Sequence, residues 1–180
     1  RRSGARPGDV ILVTGYPGQS AAGLALLLES LASEDHALVK AYNNPSHRAR
    51  EGRAVALTGC ATAMIDTSDG FVGDLGHICE ESRVGALLNQ EKFPLSDDLR
   101  KAAQKLKKEP WRFFLGDSDD YQLIITCRPE HVERVRSAIA ATYEGPVTQV
   151  GEVTAAEQGI RMVLADGSER ALSAKGWDHF

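Results

Sequence analysis

Apolar residues recur along this chain in two rhythms: short unbroken runs of strand length, and longer stretches with three- to four-residue spacing. Val10-Ile11-Leu12-Val13-Thr14, with Gly on either side, is of the first kind and predicts a buried strand. After the turn Gly15-Tyr16-Pro17-Gly18-Gln19-Ser20, the spacing of Leu24, Leu27, Leu28 and Leu31 predicts a helix capped by Ser20. Asn43-Asn44-Pro45-Ser46 breaks the chain, and Arg48 to Leu57 is helical in composition. The apolar Ala61 to Ile65 leads through Asp66-Thr67-Ser68-Asp69-Gly70 into a helix over Phe71 to Ser82, whose inward positions are Phe71, Leu75, Ile78 and Cys79. Further on come a short strand over Val84 to Leu88, a basic helix capped by Ser96 and ending before Pro110, and a strand over Tyr121 to Cys127. A helix opened by Pro129 carries Val132, Val135 and Ile139, and two last strands cover Val147 to Val153 and Ile160 to Leu164. Asp166-Gly167 then joins a loose C-terminal tail. Strands alternating with helices, some through hairpin-length links, predict an α+β fold of mixed layers rather than a doubly wound sheet.

Composition narrows the class. The chain has 180 residues, 42% hydrophobic and 26% charged, which fits one globular domain over 1–180. Its longest apolar stretch, Ala21 to Leu28, is far short of the roughly 20 residues of a membrane span, and no signal segment opens it, so the expectation is a cytoplasmic protein without membrane partners. With 21 Lys and Arg against 25 Asp and Glu, the net charge of -4 provides no drive toward nucleic acid; the basic run Lys101 to Lys108 reads as a solvated helix face. Cys60, Cys79 and Cys127 lack metal-ligand spacing and read as reduced thiols in or near the core. The start at Arg1, without Met, looks like a domain boundary inside something longer.

Chemistry concentrates in a few places. Asp66-Thr67-Ser68-Asp69-Gly70 sets two carboxylates three apart, with a hydroxyl between, where a strand gives way to a helix. That is a hard-oxygen donor set suited to Mg²⁺, and equally a capping turn. Gly15 to Gly23 is a Gly-rich turn opening a helix; its amides could cradle phosphate, although it lacks the ending of a Walker A loop. Asp117-Ser118-Asp119-Asp120 either binds a cation or polar ligand or decorates a solvated turn. Trp177, in the tail, could stack on a flat ring or cover an apolar patch. The five histidines share no ligand spacing, and no nucleophile motif for acyl transfer is present.

Taken in order, several blocks resemble the C-terminal domain of the thiamine-monophosphate kinase family, within the superfamily related to aminoimidazole ribonucleotide synthetase. They are Gly4-Ala5-Arg6-Pro7-Gly8-Asp9, Thr14-Gly15 with Gly18 and Ser20-Ala21-Ala22-Gly23-Leu24, Ile65 to Gly70 with Asp74-Leu75 and His77-Ile78, Asp119-Asp120-Tyr121, and Gly176-Trp177-Asp178-His179-Phe180. The resemblance implies the family's mixed-sheet C-terminal fold. It also implies ATP- and Mg²⁺-dependent transfer of a γ-phosphoryl group to thiamine monophosphate, giving thiamine diphosphate, in a homodimer. The family's ATP site lies mainly on an N-terminal domain absent from this chain, so these 180 residues alone are expected to be inactive.

Carried over by position, Asp66 and Asp69 match the family's Mg²⁺ ligands and Ser68 an ATP contact. Arg2 matches an ATP-contacting arginine, while Asp119 and Trp177 fall where the substrate is contacted. No residue is assigned as a catalytic acid or base, since phosphoryl transfer rests on positioning and charge neutralisation. Two blocks depart from the family pattern. Pro17-Gly18-Gln19-Ser20 stands for Leu-Gly-Asp-Ser, and Asp117-Ser118-Asp119-Asp120-Tyr121-Gln122 for Gly-Gly-Glu-Asp-Tyr-Glu. The alternatives are a superfamily relative acting on another small acceptor, and a ligand-binding or assembly module without turnover.

Overall fold

A computed structural model describes residues 1–173. Its strands are β1 (Val10–Thr14), β2 (Ala61–Asp66), β3 (Val84–Asn89), β4 (Leu123–Cys127), β5 (Val147–Ala155), β6 (Ile160–Val163) and β7 (Glu169–Leu172). They form one sheet in the order β2-β4-β1-β5-β3-β6-β7, antiparallel at every junction except β3 with β6. The helices are α1 (Gln19–Leu28), α2 (Ala37–Asn43), α3 (Ala49–Thr58), α4 (Phe71–Ser82), α5 (Asp97–Lys105), α6 (Pro110–Leu115) and α7 (Val132–Ala140). This is the mixed α+β architecture expected from the alternation of elements.

Both faces of the sheet are covered, which explains the unbroken apolar runs of its central strands. Successive side chains point to opposite faces, so Ile11 and Val13 join Phe71, Leu75 and Ile78 of α4 and Phe114 of α6. Val10 and Leu12 meet Val55 of α3 with Val135 and Ile139 of α7 on the other side. Phe114 stacks on Phe93 with centroids 4.2 Å apart and sits 4.5 Å from Phe71. A third cluster joins α1, α2 and α5 through Ala22, Leu26, Leu38, Leu99 and Ala103.

The fold departs from the sequence reading in five places. α2 and α6 fall where no helix is predicted; seven and six residues long, they are too short to show a period and are held by packing. β7 takes up the start of the expected loose tail, because the turn at Asp166-Gly167 closes a hairpin onto β6; the rest of that tail lies outside the described residues. β4 begins at Leu123 and not Tyr121, whose φ of 49° is left-handed and incompatible with a strand. Gly18, not Ser20, is the N-cap of α1, and Ser20 lies buried within the first turn. Finally, α1 buries Ala22, Gly23 and Leu26, leaving Leu28 76% exposed and Leu31 43% exposed. Small residues face inward there because α1 lies tight against α2: a Cβ on Gly23 would overlap the Leu38 carbonyl. As expected, Ser96 caps α5, its hydroxyl accepting from Leu99 N at 3.2 Å, and all three cysteines are buried and unpaired. Burial pushes the Cys79 and Cys127 thiols up to about 11, far from thiolate chemistry at neutral pH.

Candidate active site

The turn at the end of β2 and the loop ahead of β4 are pinned together by one buried threonine. Thr67 N donates to Gln122 O at 2.8 Å, Tyr121 N donates to Thr67 O at 2.9 Å, and Gln122 N donates to Thr67 Oγ1 at 3.0 Å. Gly70 permits the close approach. Its φ of 95° suits glycine, and a Cβ there would run into the Gly116 carbonyl and Asp117 Cα. These contacts make one wall of a cleft of about 630 Å³. Asp69, Asp117, Asp119 and His77 supply the ionisable part of its lining, beside the hydroxyls of Ser20, Ser68, Ser118 and Ser173, while Leu24, Val72 and Leu115 form an apolar side that continues to Tyr42. Among the described residues, no Lys or Arg lines it.

Below the surface, each half of the site rests on a buried carboxylate. Asp74, in the first turn of α4, accepts from Ser68 N at 2.9 Å and Asp69 N at 3.0 Å, both through Oδ2. Burial raises its carboxyl above the ordinary range; the two amides oppose that rise, and the nearby charges of Asp69 and Asp66 add to it. Asp120 does the same for the Gly-rich turn. It accepts from Gly18 N, from Ser20 N at 2.9 Å and from the Ser118 hydroxyl, while Ala21 N reaches Ser118 Oγ at 3.4 Å. Burial likewise holds its carboxyl high, against those hydrogen bonds.

The phosphate-cradle reading of Gly15 to Gly23 is therefore corrected: the amides of Gly18 and Ser20 already hold an internal anion. The acidic run 117–120 divides by alternation, with Asp117 and Asp119 exposed on the cleft, Ser118 buried in its lining and Asp120 buried behind it. Asp74 and Asp120 are supports that the site reading missed. The available signal was a carboxylate one turn into a helix that follows a glycine, in the first case; in the second it was a period of two within an acidic run.

Of the residues singled out from the sequence, Ser68, Asp69 and Asp119 line the cleft. Asp66 is exposed at the adjoining end of β2, close enough for its charge to be felt at Asp74. One ligand atom each from Asp69, Asp74 and His77 lies within 4.8 Å of the others. Exposed carboxylate oxygens at Asp66 and Asp69 fit a hard divalent cation that takes one or two carboxylates and completes its shell with water and phosphate. Arg2 is exposed beside β2, its carbonyl accepting from Ser82 Oγ at 3.2 Å, outside the cleft lining. Trp177 lies outside the described residues.

Comparison with known proteins bears on this arrangement. Residues 6–163 match the family described as AIR synthase related protein, C-terminal domain. The chain is 40% identical over 184 residues to the thiamine-monophosphate kinase of Escherichia coli strain K12, covering 99% of this chain and 54% of that protein. The crystal structure of thiamine-monophosphate kinase from Stenotrophomonas maltophilia K279a superposes with a TM-score of 0.79 at 28% identity, over 93% of this chain and 53% of that one. The structure of AaThiL complexed with AMPPCP and TMP gives a TM-score of 0.76 at 33% identity, over 99% and 53%. The chain thus spans about half the length of the curated relatives it matches. Among the described residues, no helix is long and apolar enough to cross a membrane.

Proposed function

The chain belongs to the AIR synthase related C-terminal domain family, and from that premise we propose that it is the C-terminal domain of an ATP- and Mg²⁺-dependent thiamine-monophosphate kinase. The observation that carries the proposal is the pairing of the Asp66–Asp69 turn with the Asp119 loop across one acidic cleft, in a chain 40% identical to such a kinase. In this reading the domain works joined to an N-terminal ATP-binding half, in a cytoplasmic homodimer, and does not turn over by itself; that the curated relatives are nearly twice as long supports the missing half.

In this reading Asp66 and Asp69 hold Mg²⁺, which would neutralise charge on the transferring phosphoryl group. Ser68 and Arg2 contact ATP, and Asp119 and Trp177 contact the acceptor. A phosphate oxygen of thiamine monophosphate bonds to the γ-phosphorus as the bond to the β,γ-bridging oxygen breaks, so thiamine diphosphate and ADP leave. The chain's own contribution is positional. Asp74 fixes the backbone that presents Ser68 and Asp69, Thr67 fixes the distance to the opposite loop, and the apolar side keeps water from the reacting groups.

The test is conversion of thiamine monophosphate to thiamine diphosphate by the chain with its N-terminal half restored, with and without Mg²⁺. Metal-dependent product is expected. A folded, ATP-binding protein that makes none overturns the assignment. The Asp117-Ser118-Asp119 sequence, in place of Gly-Gly-Glu, favours as second reading a relative with a different small acceptor, which a panel of acceptors in the same assay separates.

A further inference from the structure

Behind the acidic loop, a planar cation is held in two directions at once. Arg48, half-buried at the N-cap of α3, lays its guanidinium over the Tyr143 ring, 4.2 Å from the centroid, and its Nε–H donates to Gln122 Oε1 at 3.0 Å. A flat, forked cation can meet a ring with its face and an oxygen with its edge; an ammonium group cannot. Gln122 is in turn a junction. Its Oε1 takes a second donor, Thr14 Oγ1 at 3.0 Å, its Nε2 donates to Asp120 O at 3.2 Å, and its backbone N–H donates to Thr67 Oγ1. Between Asp120 and Gln122 sits Tyr121, whose left-handed φ of 49° is strain that the neighbouring bonds must hold. Gly15, at φ 61°, leaves the space in which this cluster closes, since a Cβ there would overlap the side chains of Gln122 and Tyr143. Arg48 also ends the link from α2 to α3, and α2 carries Tyr42 into the cleft lining.

We infer that Arg48 is a positioning residue of the acceptor site: through Gln122 it fixes the turn Asp119-Asp120-Tyr121, and with it the carboxylate that Asp119 presents on the cleft. The role of that carboxylate toward the acceptor rests on the kinase reading; the hold of Arg48 on the turn does not. Arg48 lies outside the cleft lining and acts through Gln122. Where the family pattern has Glu, a carboxylate would accept from Arg48 but has no N–H for the Asp120 carbonyl; Gln122 serves both.

The test is steady-state kinetics of Arg48→Met in the chain with its N-terminal half restored. KM for thiamine monophosphate should rise about tenfold, the scale of one well-placed hydrogen bond, while kcat and KM for ATP stay within about twofold of the parent. Arg48→Lys keeps the charge without the planar fork and should recover little of that loss. In a Gln122→Ala background, Arg48→Met should add nothing further, since both remove the same support. A second readout does not depend on turnover. Hydrogen exchange at the Tyr121 and Gln122 amides should quicken about tenfold in Arg48→Met, with Ile124 and Ile125 unchanged. A parent that forms no thiamine diphosphate defeats the kinase reading, and the exchange pattern still decides whether Arg48 holds the turn. Unchanged KM and exchange, full recovery in Arg48→Lys, additive effects in the double variant, or a uniform rise in exchange across the sheet would overturn the inference.

Discussion

Two strand-turn-helix units, β1 to α1 and β2 to α4, share a local grammar but end in opposite chemistry. Each opens its helix after a glycine of positive φ, Gly18 at 93° and Gly70 at 95°. Each seats the turn's amides on a buried carboxylate. In the first unit that carboxylate, Asp120, arrives from a hundred residues away and the turn shows the cleft no charge of its own. In the second, Asp74 is five residues away from Asp69 and leaves the carboxylates of Asp66 and Asp69 facing outward. The lesson is that a glycine turn at a helix start binds an external anion only while its amides remain unclaimed. Here the protein supplies both anions itself, and the surface that remains suits a cation.

The largest effect expected from this contrast is catalytic. In the chain with its N-terminal half restored, Asp69→Asn should lower kcat/KM by roughly a hundredfold or more, the scale of losing one preorganised electrostatic contact, without altering the melting temperature. Kinetics across a Mg²⁺ series would check it, and near-normal turnover would remove Asp69 from the metal's shell. Asp120→Ala should act the other way round, through stability. It strands the Gly18 and Ser20 amides and the Ser118 hydroxyl, costing about 2–4 kcal/mol in urea denaturation, whereas Asp120→Asn should cost clearly less. Gly70→Ala strains a left-handed backbone and collides with Gly116, so about 1–3 kcal/mol is expected. A loss as small as that of a surface change would mean the two loops are not tightly apposed.

A pH measurement sharpens the comparison further. Asp74's carboxyl is raised in the folded state, so its contribution to stability is fully present below about pH 4 and is lost as pH climbs through the raised value. Asp74→Asn should flatten part of that decline in unfolding free energy toward neutrality, leaving the share due to Asp120. An identical slope in the variant would assign the whole decline elsewhere. Smallest of all, Leu28→Ser should fall within about 0.5 kcal/mol of the parent on thermal melting, because the side chain is 76% exposed.

Much of this was legible in advance where information is local. The apolar runs of β1 and β2, the Ser96 cap of α5 and the inward face of α4 all follow from neighbours in sequence. So does the place of the Asp66–Gly70 turn between β2 and α4. What stayed hidden depends on distant partners. Nothing near Gly18 announces that its cap is Asp120, and nothing in the leucine spacing of α1 reveals that Gly23 and Ala22 must face α2. The split of 117–120 into two surface and two buried residues needed the opposing wall before it could be read.

The position of β4 between β1 and β2 also governs when the cleft can exist. Leu123 N donates to Thr14 Oγ1 across 109 residues, and Gln122 N to Thr67 Oγ1 across 55. Loop closure over such separations is entropically slow, so topology ranks these bonds among the late events of folding. A ribosome must release the chain past β4 before either acidic wall has its counterpart, and a nascent chain arrested before Leu123 would carry both glycine turns with no cleft between them.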